Sequence, residues 1–238
     1  MSEIILHEKA WVESALSNCY LGPRPVETLG RVARYYYSEG YKKSEIVDLL
    51  EDFLIKCDPG VNITKWQNII DSMARGADKY PLIEIDDVVI TESEMAHIKR
   101  VNGKLLQRLL FTLICLAKYG NSINPNNRNW VNQPSKTIFS LANISVTTKR
   151  QALMINDLWQ KGLIAYSHVV DNVNLNVTVI DDESEPAVRV SDFRNIGNQY
   201  MMLSGEGYFQ CQECGLVVKR TGNNQKRCKA CSDDMGRR

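Results

Sequence analysis

The chain has 238 residues, 44% hydrophobic and 24% charged, with a formal net charge of +1. That balance supplies enough apolar side chains for real cores and excludes a disordered chain, and the length suits two domains with a small appendage. The longest apolar stretch, Leu105 to Ala117, is short and broken by Gln107 and Arg108, so no membrane-spanning segment is expected. The N-terminal stretch carries Glu3 and Glu8 and does not read as a secretion signal. A reducing, cytoplasmic setting is therefore expected, in which the Asn-x-Ser/Thr triplets at Asn62, Asn143 and Asn176 carry no glycosylation meaning.

The charge is segmented. Residues 1–103 hold 12 basic and 17 acidic side chains, and residues 104–180 hold 8 and 2. Residues 181–210 hold 2 and 6, and residues 211–238 hold 7 and 3. Two positive blocks separated by an acidic one point to a polyanion partner for the positive blocks.

In chain order, Pro23 and Pro25 open a helix from Val26 to Glu39 with Leu29, Val32, Ala33 and Tyr36 at helical spacing. A second helix follows Lys42-Lys43-Ser44-Glu45 and stops at Asp58-Pro59-Gly60. Asn62 or Thr64 caps a third, containing Trp66, Ile69, Ile70, Met73 and Ala74. Residues 82–90 read as extended, and Thr91-Glu92-Ser93-Glu94 is a capping signature for a short helix. Asn102-Gly103 suggests a domain boundary. Beyond it come an apolar helix (105–119), an Asn-rich loop (121–132), a short helix from Ser135, a longer one from Thr147 or Thr148 to Gly162, and two β-rich stretches around Asp171-Asn172. The fold expected is mainly α with small β elements. It comprises a helical N-terminal domain (1–103), a second domain (104–180), an acidic linker with a possible strand (181–207), and a cysteine module (208–238).

That module has the spacing C-x2-C-x13-C-x2-C, in Cys211, Cys214, Cys228 and Cys231. Two residues between thiolates let one turn aim both sulfurs at a single ion, and Gly215 relieves the turn after the first pair. The segment resembles a zinc ribbon. The resemblance implies one structural zinc ion with a closed four-thiolate shell, which leaves no open position for catalysis. Cys19, Cys57 and Cys115 lie in apolar helical contexts and read as buried, inert thiols.

Residues 104–180 run helix, helix, turn, helix, strand, strand. With Thr137 to Ser145, then Leu158-Trp159-Gln160-Lys161-Gly162-Leu163-Ile164 leading into a hairpin, they resemble the winged-helix family of helix-turn-helix domains. The resemblance implies that the helix starting at Thr147 enters the major groove by its N-terminal residues. Thr147, Thr148, Lys149, Arg150 and Gln151 then become candidate DNA contacts, with Ser135 and Lys136 of the preceding helix near a phosphate. Ala152, Ile155, Leu158 and Trp159 are expected to face the core. The wing departs from the family's habit, since His168, Asp171, Asn172, Asn174 and Asn176 come with no Lys or Arg. In the ribbon, Lys219, Arg220, Lys226, Arg227 and Lys229 extend the candidate polyanion surface.

His7, His97 and His168 have no ligand or triad spacing, and no phosphate loop, dinucleotide fingerprint or H-E-x-x-H is present. Glu84, Asp86 and Asp87 read as a solvated turn rather than a nuclease centre. The expectation is a non-enzymatic DNA-binding protein that resembles small phage or mobile-element proteins of replication initiation or transcription regulation. Double-stranded DNA is the expected partner, with protein contact or self-association through the N-terminal domain. The alternative is an adaptor or inhibitor whose winged helix and ribbon contact a host or replisome protein.

Overall fold

Apolar residues three and four apart build the first unit. In the computed structural model, which describes residues 4–167 and 174–235, it contains α1 (Glu8–Ser17), α2 (Pro25–Ser38), α3 (Lys43–Cys57) and α4 (Ile63–Gly76). Pro25 occupies the first turn of α2, where no amide donor is needed. The Glu45 carboxylate accepts the Lys42 N–H at 2.7 Å and so closes the start of α3. Leu29 and Val32 of α2, Ile46, Leu50 and Phe53 of α3, and Ile70 and Ala74 of α4 form one buried core with Val12 of α1. Helix α1 has no counterpart among the helices expected from the sequence. Its buried stripe is slight, Val12 and Ala15, and tertiary contacts hold it. The buried Glu8 carboxylate accepts from Arg31 Nε at 3.0 Å, Arg34 Nη2 at 2.8 Å and the Ile83 N–H at 2.9 Å.

The chain divides into Ile4–Asp86 and a unit that starts at Asp87. The division thus falls at 86/87, not at 103/104. The strand β1 (Val88–Thr91) pairs antiparallel with β5 (Pro186–Val190), and α5 (Glu92–Arg100) packs on α6 (Lys104–Ile123). Asn102-Gly103 is therefore a turn inside the second unit, with Gly103 at φ 95°. The extended segment expected at 82–90 is split by the same division: Glu84 bridges His7 in the first unit, and β1 belongs to the second.

Helix α6 is the axis of the second unit, since every residue from Leu109 to Tyr119 is buried, the mark of a helix covered on all sides. Around it pack α5, α7 (Ser135–Leu141), α8 (Thr148–Gln160), α9 (Ile196–Leu203) and a small sheet. That sheet has the order β2-β4-β3, from Trp130–Val131, Leu175–Val177 and Ile164–Tyr166, all antiparallel. Strand β2 lies in the supposed Asn-rich loop. The Asn121 side chain donates to Asn129 Oδ1 at 2.7 Å, and Asn127 Nδ2 donates to Asn121 Oδ1 at 3.1 Å and to the Trp130 carbonyl at 2.8 Å. These amides satisfy a turn that has no regular ladder of its own. The expected hairpin tip at Asp171-Asn172, with His168, lies outside the described residues. A buried ion pair joins α5 to α6: Lys118 Nζ lies 2.8 Å from Glu94 Oε1, and Glu94 also accepts from the Thr91 and Asp181 N–H groups.

The segment 181–207 is not a free linker. Besides β5 it forms α9, which packs on α6 with Ile196, Tyr200 and Met201 buried. At Gly197 an added Cβ would lie 2.0 Å from the Ala142 carbonyl oxygen, so only glycine allows this approach of α9 to the end of α7. The fold is mainly α with small antiparallel sheets. Among the described residues no helix is long and apolar enough to cross a membrane.

Candidate metal centre and nucleic-acid surface

The cysteine module forms a two-stranded hairpin, β6 (Tyr208–Gln210) with β7 (Val217–Lys219), followed by α10 (Lys229–Met235). The first pair of cysteines sits on the tight turn between the strands. The Gly215 N–H donates to the Cys211 carbonyl at 3.0 Å, and Gly215 has φ 71°, a conformation that favours glycine. The second pair sits at the entrance to α10. The Gln212 N–H donates to the Lys226 carbonyl at 3.0 Å and ties the two turns together.

The sulfurs of Cys211, Cys214, Cys228 and Cys231 all lie within 4.8 Å of one another. A tetrahedral site with metal–sulfur bonds of about 2.3 Å places its sulfurs about 3.8 Å apart. Cys214 Sγ and Cys228 Sγ stand 3.7 Å apart. The Cys228 N–H donates to Cys211 Sγ at 3.3 Å, the backbone support that thiolate ligands use. Backbone N–H groups of Cys214 and Cys228 bring the Cys211 thiol down to about 6, whereas hydrogen bonding with Cys228 and Cys214 pushes Cys231 up to about 12. Cysteine ligands bind a metal as thiolates, so a cation would take the place of the thiol protons in this cluster. The donor set fits a thiophilic ion held in a closed shell.

Two residues upstream in α9's neighbourhood carry this centre, and the sequence had no local signal for either. Asn198, 7% exposed, donates to the Val217 carbonyl at 2.8 Å. Its Oδ1 accepts from Asn143 Nδ2 at 2.7 Å, and Asn143 occupies the turn between α7 and α8 at φ 51°. Arg194 donates to the Cys214 carbonyl at 2.5 Å. The ribbon is therefore pinned to α9, and α9 to the turn between α7 and α8. The segment expected to be an acidic linker thus holds the ribbon by these hydrogen bonds.

Helix α8 begins with a real cap, the Thr147 hydroxyl accepting the Arg150 N–H at 3.4 Å. Thr147, Thr148, Lys149 and Arg150 are exposed, as is Lys136, with Ser135 half-buried at the start of α7. Neither Lys149, Arg150 nor Lys136 joins an ion pair among the described residues. Gln151 differs from expectation: its side chain turns back and donates to the Val146 carbonyl at 3.4 Å. The buried face of α8 is Met154, Ile155 and Leu158. Ala152 and Trp159 are exposed, because this face centres about one position away from the one read in sequence. Leu153, Asn156 and Gln160 share an outward stripe with Lys149 and were not singled out by sequence.

In the ribbon, Lys219, Lys226 and Lys229 are exposed. Arg227 is partly neutralised by Glu213 at 2.8 Å. Arg220 stacks over the Phe209 ring at 5.3 Å and donates to the Asn223 carbonyl at 3.1 Å. Of the remaining cysteines, Cys115 is buried and its thiol is pushed up by burial. Cys57 is half-buried and raised to about 11, first by burial and then by its neighbour Cys19. Cys19 is exposed, at φ 49° just past the end of α1, and so is not the buried helical thiol expected. Compared with protein-family models, with curated proteins and with solved structures, the chain matches none.

Proposed function

We propose that the protein is a non-enzymatic DNA-binding protein, with residues 104–180 acting as a winged helix and the four cysteines holding one structural zinc ion. The order α6, β2, α7, α8, β3, β4 with a β2-β4-β3 sheet is the arrangement such domains use. The observation that carries the reading is the solvent-facing start of α8, where Lys149 and Arg150 stand exposed with no carboxylate partner among the described residues. Lys136 on α7 and Lys219, Lys226 and Lys229 on the ribbon extend the cationic surface. Four thiolates favour zinc over hard cations such as magnesium or calcium. Service in replication initiation or gene regulation, by analogy with small phage and mobile-element proteins, belongs to the same proposal.

Duplex DNA titrations at several salt concentrations test it, using protein whose zinc content is first confirmed at one equivalent. Removing two phosphate contacts with Lys149→Ala and Arg150→Ala flattens the log–log salt slope by about 1.8. A duplex that fails to bind at low salt refutes the reading.

A second reading, a protein-binding adaptor or inhibitor, draws support from apolar surface on the same element. Leu153 is 50% exposed and Trp159 46%, and the Trp159 ring lies 5.8 Å from that of Tyr166. Such surface favours a protein partner.

A further inference from the structure

We infer that a second copy of this chain docks on helix α5, the two copies meeting antiparallel about a twofold axis between Met95 and Ala96. The surface is a groove of about 440 Å³ in the second unit, bounded by α5, by Ala187 and Val188 of β5, and by Leu203 at the end of α9. Strand β5 pairs with β1 on one side only, Ala187 is exposed, and Leu203 is 44% exposed. Clustered apolar surface of this kind marks a contact site.

The charge pattern of α5 identifies the occupant. Seven residues make nearly two helical turns, so Glu92 and Lys99 share one face about 10.5 Å apart along the axis, with Met95 and Ala96 between them. At that separation the two charges cannot pair with each other. Both are exposed, and neither joins an ion pair among the described residues. Each also has a neighbour of its own sign. Glu185, whose carbonyl accepts the Glu92 N–H at 2.8 Å, is exposed, and so is Arg100 beside Lys99. The face thus has an acidic end, a half-buried apolar middle and a basic end.

An antiparallel twofold pairing satisfies that pattern. An axis midway between positions 95 and 96 sets Glu92 of each copy against Lys99 of the other, and the long Met95 side chain against the small Ala96. The same patch then serves both copies, as a closed dimer requires. A parallel pairing would set Glu92 against Glu92 and Lys99 against Lys99, and is repelled. A nucleic acid is disfavoured by the acidic end of the same face. The exposed ion pairs fix register and orientation, while Met95, Val188 and Leu203 supply the apolar contact. The dimer does not depend on DNA binding, and its test contains no DNA.

Sedimentation velocity of the full chain over rising concentration supplies the test. A reversible monomer–dimer equilibrium is expected. Glu92→Lys and Lys99→Glu should each raise the dimer Kd roughly tenfold or more, since each sets like charges opposite one another. Mixed in equal amounts, the two variants should dimerise again as the parent does. In the mixed dimer the new lysine of one variant faces the new glutamate of the other, and the retained Lys99 of the first faces the retained Glu92 of the second. Circular dichroism checks that both variants stay folded. The inference is overturned if the parent stays monomeric at the highest concentration reached, if the folded single variants associate as the parent does, or if their mixture remains monomeric.

Discussion

Replacing Gly197 by alanine places a methyl group where α9 meets the end of α7. The new Cβ would stand 2.0 Å from the Ala142 carbonyl oxygen, 2.3 Å from its carbon and 2.9 Å from its Cα. All three are backbone atoms, so no side chain can swing away, and α9 must retreat by at least about 1 Å to restore ordinary contact. Overpacking of this kind costs about 1–3 kcal/mol. The retreat also strains the two bonds of the buried Asn198 amide, to Asn143 and to the Val217 carbonyl, and leaving either group unsatisfied costs about 1–3 kcal/mol. Alanine's better helix propensity returns at most about 1 kcal/mol. The net expectation is a loss of about 3 kcal/mol, large against a typical domain stability of about 5–15 kcal/mol. Urea unfolding followed by far-ultraviolet circular dichroism measures it. Gly76→Ala is the control, since its added Cβ meets nothing within 4 Å. A Gly197→Ala variant within about 0.5 kcal/mol of the parent would refute the argument.

The Glu94–Lys118 pair makes a second case. Lys118→Met leaves a carboxylate with no exposed surface facing only the Thr91 and Asp181 N–H groups, and should lower stability by about 3–5 kcal/mol. Adding Glu94→Gln removes the stranded charge and should recover part of that loss in the same urea assay; a single variant as stable as the parent would contradict it. Thiol chemistry supplies a third test. Cys57 is raised to about 11, so its reactive thiolate forms only as pH climbs, and alkylation followed by mass spectrometry should show its rate still rising between pH 9 and about 11. The sign for stability follows: a thiol raised above its ordinary value of 9 contributes stability that is complete below pH 9 and is lost as pH rises through about 11. A Cys57 rate that levels off by pH 9 would contradict the burial argument, and Cys115, fully buried, should stay unmodified until the unit unfolds.

How much of this molecule is legible in sequence depends on the range of the interaction. The four-sulfur cluster was legible because each cysteine pair and Gly215 act within a single turn, and two such turns need only a hairpin to meet. Helices α2, α3 and α4 were legible for a similar reason: their apolar residues recur three and four apart, and prolines and glycines mark their limits. The cap at Thr147 and the exposed cations after it are also local. Helix α1 was not legible, because a charged residue, Glu8, is its main anchor, and its partners Arg31, Arg34 and Ile83 are remote in the chain.

The segment after Pro186 shows what only the tertiary structure decided. Its acidic lead-in reads as a linker, yet Pro186–Val190 finds β1 nearly a hundred residues earlier, and Gly197 finds the Ala142 carbonyl. Neither partner leaves a trace in local composition, because a glycine chosen for close approach looks like any other. The facing of α8 was decided in the same way: Trp159 is apolar enough for a core, but α6 and the sheet cover Met154, Ile155 and Leu158 instead. Sequence alone determined which side chains can hold a metal ion and which cations stand at the start of a helix. The fold determined that Asn198 hydrogen-bonds both the ribbon and the α7–α8 turn, since one buried amide can reach the Val217 carbonyl of β7 and the Asn143 side chain only once three elements have packed around it.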